Sequence, residues 1–111
     1  MEENFENIEI QPGDVKDMLG HEKPFLFVDV REAWERETSH IAGSVLIPMQ
    51  EIPAHLGEFE DASEIVLYCH HGMRSLDAAA WLRAQGVAGA RSMAGGIDRW
   101  SVEIDSSVPR Y

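Results

Sequence analysis

Glu64-Ile65-Val66-Leu67-Tyr68-Cys69-His70-His71-Gly72-Met73-Arg74-Ser75 decides the fold of this chain. Ile65-Val66-Leu67-Tyr68 is a short, unbroken apolar run, the pattern of a strand buried on both faces of a parallel sheet. A brief polar and Gly-containing turn follows at once, carrying the only cysteine of the chain. Beyond it Ser75, Ala78, Ala79 and Leu82 recur at helical spacing, with Asp77 and Arg83 left for water and Gly86 as the stop. Small Ala78 and Ala79 let this helix lie close to the sheet, which aims its positive end at the turn. Strand, turn and helix in that order place Cys69 beyond the carboxyl end of a strand, where α/β sheets bind ligands and where amides favour negative charge.

Such a turn suits a reactive thiol. Helix N-termini and nearby cations stabilise the thiolate, the form that attacks, and the candidates for that role are the turn amides, Arg74, His70 and His71. The bland alternative is a cysteine used as a small core hydrophobe. Against it, the apolar run ends at Tyr68 and polar or Gly residues follow immediately.

Outward from this centre, four more strands alternate with helical segments. Ile8-Glu9-Ile10 reads as a short strand, followed by a helix that opens at Pro12, runs through Val15, Met18 and Leu19, and stops at Gly20. Phe25-Leu26-Phe27-Val28 is a second buried strand, ending in Asp29. Ala33-Trp34 belongs to a short helix, Val45-Leu46-Ile47 to a strand closed by Pro48, and residues 50–56 to another short helix that accommodates Pro53 near its first turn. His55 faces solvent there, and residues 58–64 read as an acidic loop. Ala90-Arg91-Ser92-Met93 makes the final strand; Gly95-Gly96 permits a close approach, and Trp100 packs a last helix on the body. The expectation is one α/β domain over residues 1–111, with a core over about 8–100 and a mainly parallel, roughly five-stranded sheet. Residues 101–111 read as a surface tail without chemistry.

Composition narrows the function classes. With 111 residues and 44% hydrophobic content there is enough apolar surface for one core. A net charge of −11 argues against nucleic acid and anionic membranes, which need clustered Lys and Arg. It also opposes an anionic substrate at long range, so local amides and cations have to overcome the overall field. No apolar stretch is long enough to span a bilayer, and the acidic start lacks the basic and apolar regions of a secretory signal, which points to the cytoplasm. A lone cysteine forms no internal disulfide and has no resolving thiol in the chain.

Cys69-His70-His71-Gly72-Met73-Arg74-Ser75 resembles the active-site loop of single-domain rhodaneses, in which a cysteine is followed by five residues ending in Arg, with Gly third after the cysteine. Asp29-Val30-Arg31-Glu32 resembles that family's Asp-Val-Arg-Glu turn. His40-Ile41-Ala42-Gly43-Ser44 resembles its His-Ile-X-Gly-Ala segment, with Ser44 in place of Ala and Ser39 in place of a frequent Gly. Gly95-Gly96-Ile97-Asp98-Arg99-Trp100 is similar to its closing motif, and together these cover residues 8–100. The resemblance implies a three-layer α/β/α domain and a sulfurtransferase without a cofactor. Cys69 would take sulfane sulfur from a small anionic donor such as thiosulfate and pass it to a thiol, cyanide or protein acceptor. His70, His71, Gly72, Met73, Arg74 and Ser75 would bind the donor and stabilise the persulfide, with Met73 at the rim and Arg74 either contacting the donor or bracing the loop.

Asp29, Arg31 and His40 are expected at the rim or in structural roles. Asp29 reads as pairing with backbone amides, Arg31 as available to an anion, and His40 as a hydrogen-bonding strut in its turn. His70 and His71 read as solvent-facing groups that tune the loop's charge between about pH 5 and 8. No metal site is expected, because consecutive side chains rarely converge on one ion and no zinc-type ligand spacing is present. Two other classes fit a Cys-and-Arg loop on this fold: a phosphatase or arsenate reductase, and a non-catalytic binding or sulfur-carrier module. The four residues between Cys69 and Arg74 make a loop one residue shorter than in phosphate-hydrolysing relatives, which favours sulfur transfer.

Overall fold

A computed structural model of the chain describes residues 7–21 and 24–111, so the acidic start at residues 1–6 lies outside the described residues. Five parallel strands form one sheet: β1 (Glu9–Ile10), β2 (Leu26–Asp29), β3 (Val45–Leu46), β4 (Ile65–Tyr68) and β5 (Ala90–Met93), in spatial order β1-β5-β4-β2-β3. The helices are α1 (Pro12–Gly20), α2 (Ala33–Thr38), α3 (Leu56–Asp61), α4 (Met73–Ala84) and α5 (Gly96–Glu103), with a 3₁₀ segment at Met49–His55. All five expected strands are present, and the fold is the expected α/β arrangement with helices on both faces.

The central strand shows why. Along β4, Ile65 and Leu67 point to one face and Val66 and Tyr68 to the other, as the two-residue period of a strand requires, and all four are fully buried. Ile65, Leu67 and Cys69 pack with Ala78, Ala79 and Leu82 of α4 and with Ile52 and Phe59. Val66 and Tyr68 pack with Val15 of α1 and Ile97 and Trp100 of α5. Two cores on opposite sides of one sheet make the three layers.

Three local expectations change. Residues 58–61 belong to helix α3 rather than to an acidic loop, because Phe59, fully buried, anchors one face while Glu58 and Glu60 stay outside. One buried aromatic per turn is enough to hold a short polar helix against a sheet. Arg83 is not left to water: its Nε donates to the carbonyl of Ala90 at 2.8 Å and its Nη2 to that of Asn7 at 3.1 Å, tying α4 to the entrances of β5 and β1. His55 is half-buried and pairs with Glu58 at 2.9 Å.

Strand order also places the site. The chain leaves β2 toward β3 on one side and leaves β4 toward β5 on the other, so the connections diverge between the adjacent carboxyl ends of β2 and β4. That divergence opens the crevice in which open α/β sheets hold ligands. Asp29, Val30 and Arg31 leave β2 there, and Cys69 leaves β4.

Candidate active site

Cys69 is buried, and its Sγ accepts three hydrogen bonds from the start of α4: the Gly72 amide at 3.1 Å, the Ser75 amide at 3.3 Å and the Ser75 hydroxyl at 3.4 Å. The turn reaches this geometry because Gly72, at φ +105°, takes a left-handed conformation that L side chains rarely adopt. Its other face is set by Gly96. A Cβ there would collide with the carbonyl oxygens of Cys69 and His70, whereas glycine lets the Ile97 and Asp98 amides donate to those oxygens at 2.9 and 3.1 Å. The closing Gly-Gly motif thus clamps the reactive turn from outside.

Of the groups expected around the thiolate, the amides of Gly72 and Ser75 are in contact and the side chains of His70, His71 and Arg74 are not hydrogen-bonded to it. Ser75 contributes its hydroxyl as well as its amide. That hydroxyl also meets Ser92 Oγ at 2.7 Å, so Ser92, within β5, is a site residue that nothing in its sequence context distinguishes. Arg74 forms a bidentate pair with Glu35: Nη1 to Oε1 at 2.7 Å and Nη2 to Oε2 at 2.9 Å. Hydrogen bonding from Arg74 holds the Glu35 carboxyl down to about 2 even though burial opposes it, with Tyr111 adding in the same sense. The Arg74 guanidinium is pushed up in return, by that hydrogen bond first and by attraction to Cys69 among weaker causes. Met73 is 71% exposed, at the rim.

Arg31 corrects its expectation. It is fully buried, and Nε, Nη1 and Nη2 are all engaged: with Asp29 Oδ1 and Oδ2 at 2.8 Å each, with the carbonyls of Ser39 at 2.7 Å and Glu35 at 3.4 Å, and with Tyr111 Oη at 2.8 Å. Nothing of the guanidinium is left for an anion. Burial alone would lower its pKa, but the hydrogen bonds to Asp29 and Tyr111 raise it. Asp29 accepts the Arg31 amide at 3.0 Å and also receives Arg36 at 3.3 Å, so its role is structural pairing with side chains as well as an amide. His40 is exposed and makes no hydrogen bond among the described residues, so it is not a strut. The work in that turn is done by Tyr68, whose hydroxyl receives the Ile41 amide at 3.2 Å and meets Ser44 Oγ at 2.8 Å. Ser44, the departure from the usual Ala, supplies a bond that alanine has no atom to make.

The largest correction concerns the tail. Residues 101–103 belong to α5, and the chain then returns to the site. Tyr111 stacks on His70 with ring centroids 4.0 Å apart and planes 6° from parallel, and His71 stacks on His70 in turn at 3.9 Å. The Tyr111 hydroxyl donates to Glu35 Oε2 at 2.6 Å while accepting from Arg31, and burial followed by the bond to Glu35 pushes its pKa up to about 12. Burial, then His71, lowers the pKa of His70. His70 is therefore a half-buried member of a ring stack, while His71 is exposed. Glu35 and Tyr111 join the reactive loop to the buried ion pair, and sequence reading reaches neither because they are 76 residues apart.

No helix among the described residues is long and apolar enough to cross a membrane. The model of the family described as the rhodanese-like domain matches residues 11–103. The chain is 31% identical over 93 residues to a sulfurtransferase of Allochromatium vinosum, covering 84% of this chain and 87% of that one. It is 32% identical over 85 residues to the thiosulfate sulfurtransferase GlpE of Pseudoalteromonas translucida, covering 77% and 81%. The crystal structure of a rhodanese-like domain protein from Staphylococcus aureus superposes with a TM-score of 0.73 at 28% identity, covering 93% of this chain and 97% of that one. Several further relatives are larger, and this chain spans about a quarter of their length. A cysteine cradled by helix amides between β4 and α4, on this strand order and with these matches, places the chain in the rhodanese-like sulfurtransferase family.

Proposed function

We propose that this protein moves sulfane sulfur through a persulfide on Cys69, with thiosulfate as a donor and a thiol, cyanide or protein nucleophile as acceptor. The observation that carries this reading is the set of three donors aimed at Sγ from the start of α4. In the first half-reaction the Cys69 thiolate attacks the outer sulfur of thiosulfate. A new S–S bond forms, the S–S bond of the donor breaks, and sulfite leaves with its electron pair. In the second, the acceptor attacks the terminal sulfur of the persulfide and the Cys69 thiolate leaves; with cyanide the product is thiocyanate. Dividing the transfer in two is the advantage of covalent catalysis, and preset amide dipoles stabilise the charge carried by sulfur at each stage.

Two features support sulfur over phosphorus as the atom received. Cys69 is 1% exposed, which suits a slim terminal sulfur better than a tetrahedral phosphoryl centre. Arg74 is held by Glu35 in a fork-to-fork pair, whereas a phosphate would require that fork for itself. Arg74 thus braces the loop on α2 and presents a positive edge, 38% exposed, to an arriving anion.

Intact-mass analysis after incubation with thiosulfate tests the reading. The expected result is a gain of one sulfur atom, lost again as thiocyanate forms on adding cyanide. Cys69→Ser should stay folded and take up no sulfur, since serine is not a useful nucleophile at neutral pH. Sulfur uptake and turnover persisting in that variant would overturn the assignment.

A further inference from the structure

Beside the reactive turn, three ligating side chains from two elements come together. His70 and His71 follow Cys69, Asp98 lies in the first turn of α5, and one ligand atom of each lies within 4.8 Å of the others. Adjacency in sequence counts against a shared ion, because neighbouring side chains usually diverge. In the fold the His70 and His71 rings lie 25° from parallel with centroids 3.9 Å apart, and a ligand atom of each comes within reach of Asp98, so that turning the exposed His71 ring out of the stack brings its lone pair toward the same point as that of His70. Asp98 is tied to the same turn by main chain, its amide donating to the His70 carbonyl at 3.1 Å. That main-chain bond fixes the distance between the His70 and Asp98 backbones, from which both side chains reach the same space.

A second observation points to a ligand. His70 Nε2 is buried and has no hydrogen-bond partner among the described residues, although more than about nine in ten buried polar groups are satisfied in native proteins. Both carboxylate oxygens of Asp98 accept from Arg110, Oδ1 from Nε at 2.8 Å and Oδ2 from Nη2 at 3.2 Å. A carboxylate offers more lone pairs than that pair consumes, so a cation and Arg110 can share it.

We propose that His70, His71 and Asp98 form a site for a divalent transition-metal ion of the Zn²⁺, Ni²⁺ or Co²⁺ class at the edge of the Cys69 turn. Imidazole with carboxylate suits these ions better than Mg²⁺ or Ca²⁺, which take all-oxygen shells. Three protein ligands leave the remaining positions to water or to an exogenous group. The chain's net charge of −11 draws cations to its surface and lowers the cost of placing a dication there. The site is independent of the sulfur-transfer reading and stands or falls on metal binding alone.

Titration calorimetry with NiCl₂, after stripping with chelator, provides the test in the unsubstituted protein and in Cys69→Ser. One Ni²⁺ per chain should bind in both, and His71→Ala or Asp98→Asn should weaken binding at least about tenfold. Loss of binding in Cys69→Ser with no effect of His71→Ala and Asp98→Asn would assign the metal to the thiolate and overturn the proposal, as would no binding at all. Because Asp98→Asn also disturbs Arg110, imidazole ¹⁵N spectra of the unsubstituted protein titrated with Zn²⁺ provide a readout free of substitution. Shifts in both His70 and His71 support the site, and unmoved histidine signals refute it.

Discussion

Arg31, just beyond β2, and Arg74, in the first turn of the helix that follows the adjacent β4, carry the same charge yet do opposite things. Arg31 is fully buried and spends every donor on Asp29, Tyr111 and two backbone carbonyls, whereas Arg74 spends its fork on Glu35 alone and keeps a third of its side chain in solvent. One guanidinium holds the carboxyl end of β2 in shape; the other stands at the mouth of the reactive turn. Charge near a nucleophile is therefore a poor guide to role, and the count of donors already engaged is a better one. Glu35 and Tyr111 connect the two, so that the buried pair sets the ground on which Arg74 is positioned.

The sharpest way to break this contrast is Arg31→Met. It leaves the Asp29 carboxylate buried without its main partner and should cost about 3–5 kcal/mol in chemical denaturation, whereas a variant as stable as the parent would erase the distinction. Arg74→Ala should cost less, about 2 kcal/mol, because Glu35 keeps the Tyr111 hydroxyl, and should reduce the rate of thiocyanate formation by about tenfold or more, the loss expected for one charge-assisted contact. An unchanged rate would reduce Arg74 to a brace and nothing else.

Acid provides a third handle, through Glu35. Its carboxyl is held below the ordinary value of 4.5, at about 2, so the folded state binds the proton less readily than the unfolded one. Stability from this group is complete above about pH 4.5 and is lost as the pH falls toward 2, amounting to roughly 2 kcal/mol after allowance for solvent screening. Glu35→Gln should flatten that part of the melting-temperature profile, and a profile parallel to the parent's would discount the Glu35–Arg74 pair. Tyr111→Phe is the mildest change. It keeps the stack on His70 but removes the hydroxyl between Arg31 and Glu35, for a loss of about 1 kcal/mol; a larger loss would make the tail a pillar of the fold.

The strands and α4 were legible because their signals are local: four apolar residues in a row, small residues at helical spacing, glycine at the stops. The cysteine and its two amide donors follow from the same stretch. Glu35 was not legible, since an acidic residue in a short helix looks like any solvated one until Arg74, 39 residues away, is brought to it. Tyr111 failed for the same reason, in a segment whose Pro and polar residues read as surface. His40 read as a hydrogen-bonding strut but is left exposed, because the hydroxyl of Tyr68, rising from the core beneath that turn, already satisfies it.

Gly96 has a kinetic meaning as well as a steric one. With the Cys69 and His70 carbonyls bonded to the α5 amides, the first two peptide planes of the turn are held in one orientation. A sulfur centre that alternates between thiolate and persulfide would meet the same fixed dipoles in both forms. The less those two planes would move between the two forms, the less rearrangement of the protein each transfer would include.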